Sequence, residues 1–491
     1  MKLFSPSPTP HSPFTIPWFS LSLTGIFFAS LFLRFWGLGR FNALVFDEVY
    51  YAKYANNYLT GTEFEHAHPP LSTYIIAIGM WIGSHLPIGQ DMVNGLTGSL
   101  RSTWSYRWLN ALTGAFIPLV VAAIAYQLNR RRSYAVIAAL FSAADGLFLV
   151  ESRYALNNVY LVILGLLGQL FFLMALQRQK YWRWLMLGLS GMFFGACICI
   201  KWNGLWFLLG VYFVWITAWL IKWRISGIGD EKSDPIKTKR SRNPLINVTQ
   251  LNIIHIIINY GIIPFATYSL LWIPQILMNP KYGGFWKLQK YILEFHEKVG
   301  SGPNVHPYCS KWYTWPLMIR PVAYFYQTAQ TLQEQVPAYP PLPNGVGKVI
   351  YDVHAMGNPI LYWLSTAAIA LLIVLLLHRL WLGVWGIFFP TTTNYMTIYL
   401  VMNWFANLLP WVRVTRCIFL YHYMGSSVFS ALGLAWIIDR WLNGEQRQRQ
   451  MWAIIAIALI LLAFAWWLPI YLGLPLSPQG HKLRMWFDSW I

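Results

Sequence analysis

Charge is scarce in this 491-residue chain: Asp, Glu, Lys and Arg together make up 11% of it, against about 25% in an average soluble protein. Acids are scarcer than bases, with 17 Asp and Glu against 36 Lys and Arg. So little polar surface cannot cover a water-soluble globule of this size, which excludes the soluble enzyme classes. Cysteine is nearly absent. Of the four cysteines, Cys197 and Cys199 lie too close in one apolar segment for an ordinary bridge, leaving Cys309 and Cys417 as the pair open to bridging. No Cys/His spacing resembles a zinc site, and no repeat of solenoid period is visible. The Ser/Pro-rich start, Met1 to Pro17, lacks the n-region and small-residue cleavage site of a secretory signal, so the apolar run after it is expected to stay as a first helix.

What the chain has in abundance is apolar and aromatic surface. Hydrophobic residues make up 57% and aromatics 18%, with 28 Trp, 28 Tyr and 30 Phe, as expected where helix ends are anchored at membrane interfaces. The net charge of +19 would suggest a nucleic-acid partner in a soluble chain. In a membrane protein it is the ordinary excess of Lys and Arg in cytoplasmic loops, also suited to anionic lipids, and no nucleic-acid partner is expected. A bilayer core takes about 20 apolar residues per helix. On that ruler the expected fold is an all-α polytopic bundle of about eleven spans, near 19–36, 108–128, 134–150, 156–176, 184–200, 203–222, 253–276, 359–380, 383–404, 416–438 and 452–474. The shorter stretch from Leu71 to Leu86 reads as a helix lying along the interface.

Orientation follows from the positive charge. With the N-terminus inside, Arg130-Arg131-Arg132, the Arg178 to Arg183 turn, the loop from Lys222 to about Asn252, His378-Arg379 and the segment from Asp439 to Gln450 all fall on the cytoplasmic side, as the positive-inside rule requires. The sequon Asn247-Val248-Thr249 then lies inside and carries no weight. The outer face keeps two long loops, Gly37 to about Tyr106 and Asn279 to Asn358. It also keeps short connections bearing Glu151-Ser152-Arg153, Lys201, and Arg413 with Arg416. Topology does not account for cations there.

The first outer loop opens with Phe46-Asp47-Glu48-Val49-Tyr50-Tyr51. Carboxylates beside a bilayer are costly unless paired, solvated or functional. The adjacent acids are either solvated loop residues or a general base whose pKa an apolar site raises. Glu65-His66-Ala67-His68-Pro69-Pro70 holds three metal-type ligands crowded into one turn, poor geometry for zinc, and no metal or other cofactor is assigned.

Phe46-Asp47-Glu48-Val49-Tyr50-Tyr51-Ala52-Lys53-Tyr54, with His68-Pro69-Pro70-Leu71 after it, resembles the first luminal loop of the protein O-mannosyltransferases. Further matches follow in order: Tyr106-Arg107-Trp108, Ser152-Arg153-Tyr154-Ala155-Leu156, Lys201-Trp202-Asn203-Gly204-Leu205, the block His306-Pro307-Tyr308-Cys309-Ser310-Lys311-Trp312-Tyr313-Thr314-Trp315-Pro316 with Arg320-Pro321, and Thr415-Arg416-Cys417-Ile418-Phe419-Leu420-Tyr421-His422-Tyr423. The resemblance runs from about residue 41 to 440. It implies one membrane domain over 1–491 with the GT-C glycosyltransferase fold, a polyprenyl-phosphate-mannose donor and a Ser or Thr hydroxyl on a protein acceptor. Asp47 matches the family's catalytic aspartate and Glu48 its second acid, which would position the acceptor or orient Asp47. For the donor phosphate the resemblance and the outer-face charge point to Arg107 first, then Arg153, Lys201 and Arg416, because a guanidinium grips phosphate in a forked geometry. The alternative for any of these is snorkelling to lipid phosphates. His68, His306, Tyr308, Trp312 and Trp315 are candidates for sugar or acceptor binding, the tryptophans being equally suited to an interfacial belt.

The chain departs from the family pattern in three places. Asn158 stands where the family has an acid five residues after the arginine matched by Arg153, so an ion pair there is lost. The outer loop has no room for the trefoil sugar-binding domain of eukaryotic members, which favours a bacterial inner-membrane protein with its site on the periplasmic face. The basic loop from Lys222 to Asn252 matches no family motif. Two other readings compete: a transferase of the same fold acting on a lipid or cell-wall glycan, and a secondary transporter. Transporters place ionisable residues at the midplane on broken helices, whereas these sit at span ends and in outer loops.

Overall fold

The computed structural model describes residues 17–90, 93–96, 98–226, 244–329, 349–384 and 392–491. The N-terminal half runs α1 (Trp18–Phe35), α2 (Glu48–Thr60), α3 (Leu71–Ser84), the hairpin β1 (Val93–Leu96) and β2 (Ser99–Ser102), α4 (Thr103–Asn129), α5 (Arg132–Ala143), α6 (Gly146–Arg153), α7 (Asn158–Ala175), α8 (Lys180–Ile198) and α9 (Leu205–Ser226). A long interrupted helix follows, α10 (Ile253–Ile256), a π turn (Ile257–Ile262), α11 (Ile263–Leu271) and α12 (Ile273–Met278), then α13 (Phe285–Lys298). The hairpin β3 (Val322–Ala329) and β4 (Val349–Ala355) precedes α14 (Pro359–Val384), α15 (Thr392–Leu408), α16 (Met424–Leu442), α17 (Arg447–Leu472) and the short α18 (Pro478–Lys482).

Seven helices among the described residues are long and apolar enough to cross a membrane, or eight if the bent pair α5 and α6 counts as one span. The protein is therefore a multi-pass membrane protein. The expected span 134–150 is broken by a 58° bend, because Asp145 leaves the helix to cap α6, accepting a hydrogen bond from Leu147 N at 2.9 Å. The expected span 416–438 begins late, since Arg416 to Phe419 is irregular and Leu420–Tyr423 is a 3-10 turn leading into α16. At 17 residues α15 is short for a crossing, and residues 385–391 before it lie outside the described residues, as do 227–243 of the basic loop. Asn247 of the sequon is buried in the turn Pro244–Gln250.

The all-α expectation misses two small antiparallel sheets, β1 with β2 and β3 with β4. Both lie in the outer loops, where α2, α3 and α13 also sit. Helix α4 packs against α1, α3, α5, α6 and α7. Close approach of α4 to α6 needs Gly114, where a Cβ would fall 2.3 Å from that of Ser152. Hairpin β3–β4 packs on α6 and α17 and is joined through Ile350 to Leu476 in the C-terminal segment. The outer-loop elements thus rest on one end of the bundle.

Candidate active site

The loop between α1 and α2 is pinned from beneath. Glu48 is fully buried and receives four hydrogen bonds: Arg107 Nε to Oε1 at 2.8 Å, Arg107 Nη2 to Oε2 at 2.7 Å, Val45 N to Oε2 at 2.8 Å and Ala155 N to Oε1 at 2.8 Å. The other donors of Arg107 reach the carbonyls of Leu38, Phe41 and Ala43. Carboxylate and guanidinium are both saturated, as a buried pair must be to offset its desolvation. The chain then passes through Phe46 at φ +51, a left-handed conformation costly for an aromatic residue. The Phe46 ring lies flat on Tyr324 of β3, with centroids 4.1 Å apart. Asp47 follows at the start of α2, makes no capping hydrogen bond and is only partly exposed. Burial pushes its pKa up to about 6, against the opposing pull of Lys201.

Lys201 faces it from the turn between α8 and α9. Burial and the nearby Arg416 push its pKa down to about 7, while Asp47 and Glu151 hold it up. Its ammonium lies 3.3 Å from His422 Nε2 and 5.4 Å from the centre of the Tyr421 ring. Arg416 donates to the Cys417 carbonyl at 3.2 Å, and its other N–H groups have no partner among the described residues. Burial, with Lys201 and Arg416 adding to it, holds His68 and His422 well below the ordinary histidine range and His296 at about 4. The imidazoles are neutral near pH 7, so the positive charge of the site comes from Arg416 and from Lys201 while it is protonated. A cavity of about 360 Å³ opens beside them. Its polar lining includes His68, Lys201, His296, Arg413 and Arg416 with one carboxylate, Glu297, and its apolar wall includes Trp202, Trp206 and Leu293.

The candidates divide into three groups. Asp47, Lys201, Arg416 and His68 come together at one end of the bundle. Glu48 and Arg107 form the support beneath them, and Arg107 has no N–H left for a phosphate. Arg153 is turned to the backbone: Nη1 donates to the carbonyls of Leu33, Arg34 and Trp36 and Nη2 to that of Gly37, capping the C-terminus of α1, while Nε is buried without a partner among the described residues. Asn158 donates to Glu151 at 3.2 Å instead of pairing with Arg153. His306 lies edge-on to Phe46 and Phe419, and Tyr308 carries Arg320 over its ring. Trp312 is half-buried against Tyr313. Trp315 is buried beneath His422, bonded through Nε1 to Ser310 Oγ at 2.8 Å. It supports the site and presents no free face to a sugar.

Sequence reasoning missed Glu151, a buried carboxylate held by the Tyr324 hydroxyl and Asn158, within electrostatic range of Lys201 and Asp47. The signal was its place in the same outer turn as Arg153. The Cys309–Cys417 disulfide is formed, with Cα atoms 5.2 Å apart. Together with the hydrogen bond from Ser310 N to the Ile418 carbonyl, it ties the second outer loop to the segment bearing Arg416 and His422. Among the described residues no group of three His, Cys, Asp or Glu could hold a metal ion. His66 is spent on Thr73 and on the His68 amide.

The polytopic bundle, with its loop elements gathered at one end, has the fold of the GT-C class of membrane glycosyltransferases. The solved Pmt1–Pmt2 complex of Saccharomyces cerevisiae, a protein O-mannosyltransferase bound to its sugar donor, has this fold, with a TM-score of 0.74 at 14% identity over 98% of this chain and 93% of that one. The model of dolichyl-phosphate-mannose-protein mannosyltransferase matches residues 24–273, and that of the C-terminal four-span region of protein O-mannosyltransferase matches residues 281–490. The chain belongs to the protein O-mannosyltransferase family. It is 24% identical to the polyprenol-phosphate-mannose–protein mannosyltransferase of Mycolicibacterium smegmatis, over 91% of this chain and 87% of that one. To the enzyme of the same description from Mycobacterium tuberculosis it is 22% identical, over 91% and 86%.

Proposed function

We propose that the chain transfers mannose from a polyprenyl-phosphate carrier to Ser or Thr hydroxyls of proteins, with inversion at C1 and Asp47 as the base. One observation carries this reading: the Asp47 carboxylate, without a hydrogen-bond partner among the described residues, lies within electrostatic range of Lys201, which with Arg416 lines a cavity that also has an apolar wall. The acceptor hydroxyl gives its proton to Asp47 as its oxygen bonds to C1. The bond from C1 to the phosphate oxygen breaks on the opposite face, and the electron pair leaves with the polyprenyl phosphate. A β-linked donor gives an α-mannoside. Lys201 and Arg416 meet the charge that develops on the phosphate, in a site where water is scarce and fixed cations act strongly. Trp202, Trp206 and Leu293 offer the first isoprene units an apolar wall.

The support beneath Asp47 redistributes the roles assigned from the motif. Glu48 and Arg107 are positioning residues that set the loop from which Asp47 projects, and Arg153 fixes the end of α1. His306 and Tyr308 remain candidates for the acceptor side, beyond Phe46 and Phe419. The site faces away from the cytoplasm in this reading, because the basic segments sit at the opposite end of the helices. The bacterial relatives support a plasma-membrane location. The direct test is incubation of the purified chain with polyprenyl-phosphate-mannose and a Ser/Thr-rich peptide. Mass spectrometry should find one hexose on a hydroxyl residue, and an unmodified peptide beside intact donor would count against the reading.

A further inference from the structure

The end of the bundle remote from Asp47 holds a second cavity, of about 440 Å³, between the last turns of α14 and α16, the beginning of α15 and the start of α17. Arg379, Arg440 and Arg449 all line it, and among the described residues no carboxylate does. Asp439, next to Arg440, is engaged elsewhere: Arg131 Nε lies 2.7 Å from Oδ2, and Ser133 and Asn443 donate to Oδ1. The guanidiniums of Arg379 and Arg449 have no hydrogen-bond or ion-pair partner among the described residues. The remaining wall is mostly apolar, with leucines of α14 on one side and Trp436 and Trp441 of α16 on another. Leu371, Leu375 and Arg379 recur at i, i+4 and i+8, so they form one stripe along α14. The two leucines are exposed, at 46% and 40%.

The positive-inside bias explains arginines at this end of the helices. It does not explain why three of them converge on a cavity whose wall continues as a leucine stripe toward the middle of the bundle. We propose that this cavity binds an anionic phospholipid of the cytoplasmic leaflet. The headgroup phosphate sits among the three guanidiniums, whose forked donors suit it, and an acyl chain lies along Leu375 and Leu371. Basic recesses between helix ends on the cytoplasmic side are suited to such headgroups. A free phosphate would meet the same arginines but would gain nothing from the apolar wall. The site is independent of the mannosyl-transfer reading and lies at the other end of the molecule.

The test is native mass spectrometry of the delipidated full-length protein, offered phosphatidylglycerol or phosphatidylcholine with matched acyl chains. Phosphatidylglycerol should be retained roughly 30- to 150-fold more tightly, as expected from two or three basic contacts. The double variant Arg379→Gln/Arg449→Gln should drop to the phosphatidylcholine level with its melting temperature unchanged. Leu375→Trp, which fills the groove and leaves the arginines in place, should lose the preference as well and serves where the double variant does not fold. Inorganic phosphate should not displace the bound lipid. Equal retention of the two lipids by the wild type, or a preference that survives both variants, would overturn the proposal. So would displacement by inorganic phosphate alone.

Discussion

Arg107 holds Glu48 through Nε and Nη2 at 2.8 and 2.7 Å, with both side chains closed to solvent. Two backbone amides complete the carboxylate and three carbonyls the guanidinium, so the pair is a brace for the loop that presents Asp47 and not a phosphate site. Removing one partner of such a pair leaves a buried charge uncompensated, at about 3–5 kcal/mol. Arg107→Ala and Glu48→Ala are therefore expected to lower the melting temperature together with turnover. In whatever fraction folds, the KM for the lipid donor should stay close to wild type. A large rise in donor KM at unchanged melting temperature would restore Arg107 as a phosphate ligand.

The pH profile follows from Asp47 and Lys201. The base must be unprotonated, so kcat/KM should fall as pH drops through about 6, where burial has raised the Asp47 carboxyl. The ammonium must be charged to meet the leaving phosphate, so activity should also fall as pH rises through about 7, to which burial and Arg416 lower Lys201. The two groups are coupled, and the limbs belong to the pair. Lys201→Arg should move the alkaline limb upward and leave the acid limb in place. A profile flat from pH 5 to about 9 would contradict this assignment.

Arg416 and Arg153 both match family motifs, yet their surroundings predict opposite effects. Arg416 borders the cavity with open donors, so Arg416→Ala should weaken donor binding by about 1.5–3 kcal/mol, the worth of a charge-assisted hydrogen bond. Arg153 caps α1, so Arg153→Ala should lower stability with little change in donor KM. Titration of each variant with polyprenyl-phosphate-mannose, alongside thermal melting, separates the two. Equal donor defects in both would show that neither environment decides the role.

The Cys309–Cys417 bridge closes a loop with a sequence separation of 108, and cross-links of that length contribute roughly 2–5 kcal/mol. Cys309→Ser/Cys417→Ser should therefore melt at a lower temperature and lose transfer activity before its helical circular dichroism changes. The reason is that the bridge anchors the segment bearing Arg416 and His422, and not the bundle. Loss of helix in step with loss of activity would argue for a general role in folding.

Most of this architecture was legible in the residue pattern, and the exceptions have physical causes. Hydropathy located the long helices because a lipid-facing helix must be apolar along its length. It failed at Asp145 and at Arg416 to Tyr423, where capping and an irregular segment replace helix inside otherwise apolar sequence. Strand β4 is buried at every position, Asp352 and His354 included, and its hairpin was missed. The motif pointed to Asp47, Lys201 and Arg416, which the fold brings near one another. It misplaced Arg107 because an arginine on the outer face shows only that a partner is needed. Whether that partner is a phosphate or a carboxylate depends on which loop folds over it, and here Glu48, next to Asp47, takes the place.

The account rests on Asp47 as the base, and one comparison tests it most directly. Wild type and Asp47→Asn should be incubated with polyprenyl-phosphate-mannose and a Ser/Thr-rich peptide, with hexose on the peptide and donor binding measured in parallel. The amide keeps the shape and loses the basic function, so transfer should fall by about 10²–10⁴-fold while melting temperature and donor affinity stay near wild type. Transfer by Asp47→Asn within about twofold of wild type, against the loss expected for a general base, would contradict the account.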